Sequence, residues 1–505
     1  MSGHNGIILT WVEGDNVKQK DIIEILKKND LVIKIEQNIE NTEDVADITY
    51  NSKACVENSA FFVKGANFKE EYLNDAILKG ARLIISEKEF DVQAANLIVV
   101  SNVRHAMVLV ASEFFERAYD SMNVIGLTGT KGKTTTTYFI KNILDEYLDI
   151  PSGVISTVET YTGKRHEESH LTTPEAIELQ RYFKEMKESN IKFVTMEVAS
   201  QAYKVDRIYD MKFDTGVFLN ISEDHISEAE HPNFNDYFEC KLKFIRNCKT
   251  VVINRETDFF ETVKDAASNA LRIITYGTEK CKGKVDYYVD NVEKEPLGFK
   301  FMVHGASFDK EFSINMQGRF NVENALAAIV VAKIYDIPDD VIQRGLTKTT
   351  VQGRMNVYEY NGITAIVDYA HNRLSFTKFF ESVKLDYPGR RIITIAGGPG
   401  GKAYARRRDL GEIAGEASSY MYLTEEDPQF ESIEDICCDI ATYVKCPYEI
   451  VPDRTEAIEK AVRNAKPGDV LALLAKGEED YQKEKGIFVP YESDIKIIKR
   501  LFHIK

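Results

Sequence analysis

Short, wholly apolar runs alternate along this chain with stretches whose apolar residues return every third or fourth position, a pattern of buried strands interleaved with amphipathic helices. Between about residues 21 and 118, runs at 31–35, 60–63, 82–86 and 96–100 predict strands, and 71–79 and 105–119 predict helices, forming a small α/β unit. A second unit, 120–351, opens with an apolar strand at 124–125; it carries buried-strand patterns at 193–196, 215–219 and 250–253 and a helical pattern over 319–332. A third, 352–505, has strand patterns at 364–368, 391–396, 419–423 and 470–475, separated by helical stretches at 374–385, 409–416 and 454–464. Strands alternating with helices predict largely parallel sheets, with ligands at the carboxyl ends of the strands. The expected fold class is therefore α/β in three domains, 1–119, 120–351 and 352–505.

Composition narrows the functional classes. A chain of 505 residues exceeds one core and suits about three domains. Its formal charge of −16 argues against nucleic acid or an anionic membrane as partner and confines positive charge to pockets. No apolar run approaches about 20 residues, and the N-terminus lacks a charged leader followed by an apolar segment, so a cytoplasmic protein is expected. The seven cysteines form no Cys-x-x-Cys pair and have no companion histidines at metal-ligand spacing; they read as reduced thiols.

Residues 126–137 read Gly-Leu-Thr-Gly-Thr-Lys-Gly-Lys-Thr-Thr-Thr-Thr, between an apolar strand and a helical stretch. That order makes a phosphate cradle. Gly129, Thr130, Lys131 and Gly132 present backbone N–H groups to an anion, the helix beginning near Lys133 offers its positive end, and Lys133 reaches outer phosphates. Thr134 supplies a hydroxyl to magnesium, with Thr135 beside it. ATP and Mg²⁺ are the expected cofactors. Leu127 stands where the general pattern has a further glycine.

The form Gly-Thr-x-Gly-Lys-Thr-Thr resembles that of the Mur ligases, ATP-dependent enzymes that join an amino acid to a nucleotide-linked carboxylate. Further segments follow in that family's order: 47–53 with 61–65, 171–174, 196–203, 218–225 with 237–241, 318–324, 368–371, 423–429 and 475–482. Within the family they are most similar to the lysine-adding UDP-N-acetylmuramoyl-tripeptide synthetases. The resemblance implies an N-terminal domain for the UDP-sugar, a central P-loop ATPase domain with a parallel sheet, and a C-terminal Rossmann-like domain for the amino acid. It further implies a monomer whose substrates are UDP-N-acetylmuramoyl-dipeptide and L-lysine.

Carried over residue by residue, the resemblance makes Lys133, Lys241, Glu197 and His225 catalytic, with Lys241 as a carbamate joining Thr134, Glu197 and His225 around magnesium. Read without it, His225 is a hydrogen-bonded structural histidine rather than a ligand, Glu197 a solvated strand-end acid, and Lys241 as readily a helix-surface lysine, while Asn220 and Asp224 shape a turn. Asn321 reads the adenine, and Arg354 and Asp368 face the nucleotide. Ser52, Thr172, Thr173, Arg207, His371, Arg407 and Glu479 face the substrates. Ala199, Asn51, Lys53 and the pair Asn372-Arg373 depart from the family's pattern. The run 406–408, Arg-Arg-Arg, reads as a ligand-facing patch or as a solvated basic run.

Substrate choice rests on Glu426, Asp427, Pro428 and Gln429. Relatives that add meso-diaminopimelate have an arginine where Gln429 stands, pairing with the extra carboxylate. A pocket lacking that cation and holding two acids is expected to take an ammonium-ended side chain, lysine. The alternatives are the same reaction with ornithine or meso-diaminopimelate, a ligase resembling folylpolyglutamate synthetase, which the Thr-Thr-Pro and Asn-Ser-Lys segments disfavour, and a nucleotide-binding scaffold that has lost catalysis.

Overall fold

The computed structural model describes residues 17–39, 44–65, 68–209, 211–224, 226–227, 230–306 and 308–504. The chain divides into two compact units, residues 1–124 with 153–213, and residues 125–152 with 214–505.

In the first unit five strands pair in the order Val32–Glu36, Asn96–Val100, Ala81–Ser86, Ser59–Phe62, Asp47–Thr49. Neighbours are parallel except Val32–Glu36, which is antiparallel to Asn96–Val100. Along Ala81–Ser86, Leu83 and Ile85 enter the core beneath helices Gln19–Lys28 and Val103–Phe114, whereas Ile84 enters the one beneath Glu70–Leu78, as the two-residue period of a strand requires. This unit also contains Phe193–Glu197, parallel to Gly153–Ile155, with two short antiparallel strands, Glu159–Tyr161 and His166–Glu168, beyond.

In the second unit Thr215–Phe218 of the strand Phe213–Phe218 runs parallel to Ile125–Thr128 of Asn123–Thr128, which feeds the helix Lys133–Tyr147. Cys248–Asn254, Arg272–Thr278 and Tyr287–Lys294 pair in parallel, and an antiparallel ribbon, Phe299–Gly305 and Phe308–Ile314, extends the edge. The helix Phe320–Ile334 is apolar on every side and correspondingly buried. Lys133–Tyr147 packs tightly on Asp339–Lys348: a Cβ on Gly345 would lie 2.5 Å from Ile143 Cα.

The C-terminal sheet of this unit has the order Asn356–Tyr360, Ile363–Asp368, Val470–Leu474, Ile392–Ala396, Tyr420–Leu423, Tyr448–Ile450, parallel but for the first pair. Helices Arg373–Asp386, Ala405–Ala417 and Ile433–Ala441 cover one face, Arg454–Asn464 and Asp494–Leu501 the other. Both faces of each central strand are buried, which explains their unbroken apolar runs. The fold is mixed α/β with parallel-rich sheets, as the sequence pattern predicts. All seven cysteines are free, five of them buried.

Candidate active site

The cradle forms where the motif predicts. Gly132 takes φ +86°, a conformation that favours glycine, and a Cβ there would stand 2.5 Å from Asn324 Oδ1. Helix Lys133–Tyr147 starts immediately after it, with Thr134 and Thr135 buried in its first turn. Lys133 Nζ donates to the Gly129 carbonyl at 2.9 Å, and Lys241 Nζ donates to the same carbonyl at 3.0 Å and to Thr128 Oγ1 at 3.3 Å. Lys241 is therefore no surface lysine: it is 2% exposed on helix Phe234–Arg246. Burial first, and the Lys133 charge second, hold its pKa well below the ordinary lysine range. A neutral amine is the form that adds CO₂ to give a carbamate.

The loop after strand Phe213–Phe218 grips the cradle. Asn220 accepts from Lys131 N–H through Oδ1 at 2.9 Å and donates Nδ2 to Lys131 O at 3.0 Å, while Thr130 Oγ1 contacts Ser222 O at 3.2 Å and Tyr237 Oη at 3.0 Å. Asp224 does more than shape a turn. Its buried carboxylate accepts from Arg406 Nη2 at 2.7 Å and Asn372 Nδ2 at 2.5 Å and lies 3.8 Å from Lys131 Nζ. Lys131 Nζ also lies 2.9 Å from His371 Nε2, whose Nδ1 is 2.7 Å from Tyr369 O. Burial depresses both partners, Lys131 to about 7 and His371 well below its usual value.

In the first unit Glu197 ends its strand fully buried, accepting from Thr157 N–H at 3.0 Å and Thr157 Oγ1 at 3.1 Å. Thr172 Oγ1 lies 3.0 Å from Thr157 Oγ1. The Thr173 hydroxyl is engaged at the strand end, donating to Glu197 O at 2.9 Å and accepting from Ala199 N–H at 3.0 Å. Arg207 donates to Glu175 at 3.0 Å and to Thr173 O at 3.1 Å; Lys64 Nζ, at 2.5 Å, and Arg104, at 3.8 Å, converge on that same carboxylate. Lys64, from the 61–65 segment, and Arg104, which no motif announces, join Arg207 in a cluster of three cations around Glu175. Ser52 is buried, with its hydroxyl bonded to Asp75.

The C-terminal segments come together at the carboxyl ends of their sheet. Asp368 accepts from Met355 N–H at 2.9 Å and Ala370 N–H at 2.8 Å and so ties the linker to its strand. Arg354 lies over the Tyr369 ring, 4.6 Å from its centroid. Asn321 is fully buried, donating to Gln317 O at 2.7 Å and accepting from Asn324 at 2.9 Å. An open cleft of about 690 Å³ is lined by Gln317, Arg354, Met355 and Tyr387. Gly400 approaches Pro428 O so closely that a Cβ would stand 1.8 Å from it. Gln429 is held by its backbone, donating to Lys483 O at 2.9 Å and accepting from Lys485 N–H at 2.8 Å.

One expectation is corrected here. The pocket has not simply lost a cation and gained two acids, because buried Lys476 bonds Asp427 Oδ1 at 2.9 Å and Glu479 Oε2 at 2.7 Å. Asp427 is thereby paired with a cation that it shares with Glu479. Burial, opposed by Arg406 and reinforced by Asp427, raises Glu426 to about 7. Arg407 is engaged within its own sheet, with Glu431, with Asp439 at 3.3 Å and with Pro399 O at 3.1 Å; Arg408 is exposed.

His225 lies outside the described residues. Folding does give one cysteine a companion that its spacing conceals: His231, Asp236 and Cys240 offer ligand atoms within 4.8 Å of one another, with His231 Nδ1 2.6 Å from Asp236.

Residues 127–332 match the Mur ligase middle domain and 353–477 the Mur ligase glutamate ligase domain. The chain is 35% identical over 470 residues to the UDP-N-acetylmuramoyl-L-alanyl-D-glutamate–L-lysine ligase of Enterococcus faecalis, covering 92% of each. Its fold is similar to that of a UDP-N-acetylmuramoyl-L-alanyl-D-glutamate–2,6-diaminopimelate ligase, with TM-score 0.65 and 21% identity over 96% of this chain and 99% of that one. It is also similar to the MurF ligase of Thermotoga maritima in complex with ADP, with TM-score 0.61 and 18% identity over 91% and 97%. Carrying the phosphate loop and the buried Lys241 within full-length similarity, the chain belongs to the Mur ligase family.

Proposed function

We propose that this chain is an ATP-dependent ligase that adds L-lysine to UDP-N-acetylmuramoyl-L-alanyl-D-glutamate in peptidoglycan precursor synthesis, acting as a cytoplasmic monomer in three domains, 1–119, 120–351 and 352–505. The observation that carries the reading is the pair of lysines, Lys133 and Lys241, converging on the Gly129 carbonyl of a phosphate cradle, in a chain similar over 92% of its length to a lysine ligase. No described helix is long and apolar enough to cross a membrane.

In this reading Lys133 leaves the Gly129 carbonyl for the outer phosphates of ATP, and the cleft beside Gln317 and Arg354 receives the nucleoside. The terminal D-glutamate carboxylate attacks the terminal phosphorus, giving an acyl phosphate and ADP. The α-amine of lysine, having lost its proton, then adds to the acyl carbon, and the tetrahedral adduct collapses to amide and phosphate. Lys64, Arg104 and Arg207 suit the anionic groups of the sugar nucleotide. Glu197 and Thr134, each in its own unit, offer hard oxygens of the kind magnesium takes; the resemblance adds His225, and Lys241 through the carboxylate that carbamylation would attach to its nitrogen. Magnesium would offset the charge that gathers on the transferring phosphoryl group. Glu426 and Glu479 face the amino acid, and Gln429 supplies no charge for a second carboxylate.

ADP release measured with the UDP-dipeptide and lysine, ornithine or meso-diaminopimelate tests the reading. Turnover that requires both substrates and favours lysine is expected. ADP release independent of the UDP-dipeptide would refute it, and a preference for another diamino acid would refute the substrate assignment.

A further inference from the structure

Of the three arginines at 406–408, Arg407 is held by its own sheet and Arg408 faces solvent. Arg406 alone leaves the C-terminal sheet, crossing to Asp224 beside the phosphate cradle, where its Nη2 bonds Oδ1 at 2.7 Å. The contact is nearly dry, the arginine side chain being 16% exposed and the aspartate 2%. Yet the bond uses only part of the guanidinium. Arg406 Nε is buried with no hydrogen-bond partner among the described residues, and so is the hydroxyl of Ser222, two positions before Asp224 on the loop that grips Thr130 and Lys131. Buried donors without acceptors are costly, so two of them beside a phosphate cradle point to an absent anion.

The charges agree. The charges of Lys133, Arg354 and Arg406 all act on Lys131; Asp224 faces Lys131 and Arg406, Asp368 faces Lys131 and Arg354, and Glu426 and Glu230 act more weakly on Arg406. Burial and these neighbouring cations hold Lys131 and His371 toward their neutral forms. In a chain of net charge −16 these cations are gathered in one place, where a multiply charged anion would favour the charged forms of Lys131 and His371. Asp224 meanwhile acts as a stand-in, occupying with one carboxylate the fork that would otherwise hold phosphate oxygens.

We propose that Arg406 binds the terminal phosphoryl group of the nucleotide, and that Asp224 holds it in readiness until that group arrives. The proposal rests on the ATP reading above and extends it to a residue from the C-terminal sheet. Its test is the affinity of Arg406→Met and Arg406→Lys for ADP and for the β,γ-imido analogue of ATP, alongside kcat and thermal midpoint. Arg406→Met is expected to bind ADP within about threefold of the wild type, to bind the imido analogue at least about tenfold more weakly, and to lose at least about a hundredfold in kcat. Arg406→Lys should recover part of both losses. Asp224→Asn, which loosens the hold but leaves the arginine, should keep the preference for the imido analogue. Equal loss toward both nucleotides, or a lowered thermal midpoint that accounts for the activity loss, would make Arg406 a structural tie and overturn the proposal. Wild-type affinities in Arg406→Met would overturn it too. Failure of the wild type to bind either nucleotide would instead overturn the ATP reading, and this proposal with it.

Discussion

Glu426→Gln probes the electrostatics of the amino-acid site. In the ligand-free chain Glu426 titrates near 7 rather than 4.5, chiefly because burial disfavours its anion. That difference corresponds to about 3 kcal/mol against the ionised form. Because its folded pKa lies above the unfolded one, the folded state retains a proton that the unfolded chain has released between pH 4.5 and about 7. Stability from this group is therefore fully present below pH 4.5, declines as pH rises to about 7, and is flat above; Gln removes the slope. Binding should run the other way. If the anion of Glu426 pairs with the lysine side-chain ammonium, about one site in ten is competent at pH 6 and about nine in ten at pH 8, and lysine binding tightens about ninefold over that interval. Calorimetric titration of lysine into enzyme saturated with UDP-dipeptide and a non-hydrolysable ATP analogue, in two buffers of different ionisation enthalpy, reads both the affinity and the proton released at pH 6. In Glu426→Gln lysine should bind more weakly, with no pH slope. A pH-independent wild-type affinity, or the same slope in Glu426→Gln, would refute the reasoning.

Lys133→Ala should abolish turnover, by at least about a thousandfold, with an unchanged thermal midpoint, since its Nζ donates to the Gly129 carbonyl and its role is at transferring phosphate; near-normal kcat would end the assignment. Lys241→Ala should lose activity that added formate or acetate partly restores, measured as ADP release, and full activity without additive would show that no carbamate is needed. Gly400→Ala, forcing a methyl to within 1.8 Å of Pro428 O, should displace the turn at 426–429 and raise the KM for lysine about tenfold while that for ATP stays constant. A parallel rise in both constants would place the damage elsewhere. Arg454→Met leaves Asp494 buried without its partner and should lower stability by about 3–5 kcal/mol, as followed by urea denaturation.

The strands were legible where both faces are buried: the pattern at 96–100 matches Asn96–Val100, and that at 454–464 matches the helix Arg454–Asn464. The antiparallel ribbon Phe299–Gly305 and Phe308–Ile314 was not, because one face of it meets solvent and polar residues interrupt its apolar positions. Glycines and lysines in a fixed order announced the cradle, since backbone approach to phosphate requires them at that spacing. Asp224 and Arg104 could not be read that way, and Lys64 only as part of the 61–65 segment, because their roles come from partners distant in sequence, Arg406 for Asp224 and Glu175 for the two cations. The pairing of Asp427 with Lys476, 49 residues away, was hidden too: charge on a page is counted singly, and charge in a fold is counted in pairs.

Gln429 is fastened by main-chain bonds to Lys483 and Lys485, and its side chain takes no part in that attachment. A residue held in this way can be exchanged without loosening the turn that carries it. In the proposed reading, the side chain that meets the far end of the diamino acid can thus vary while the turn that presents it stays fastened.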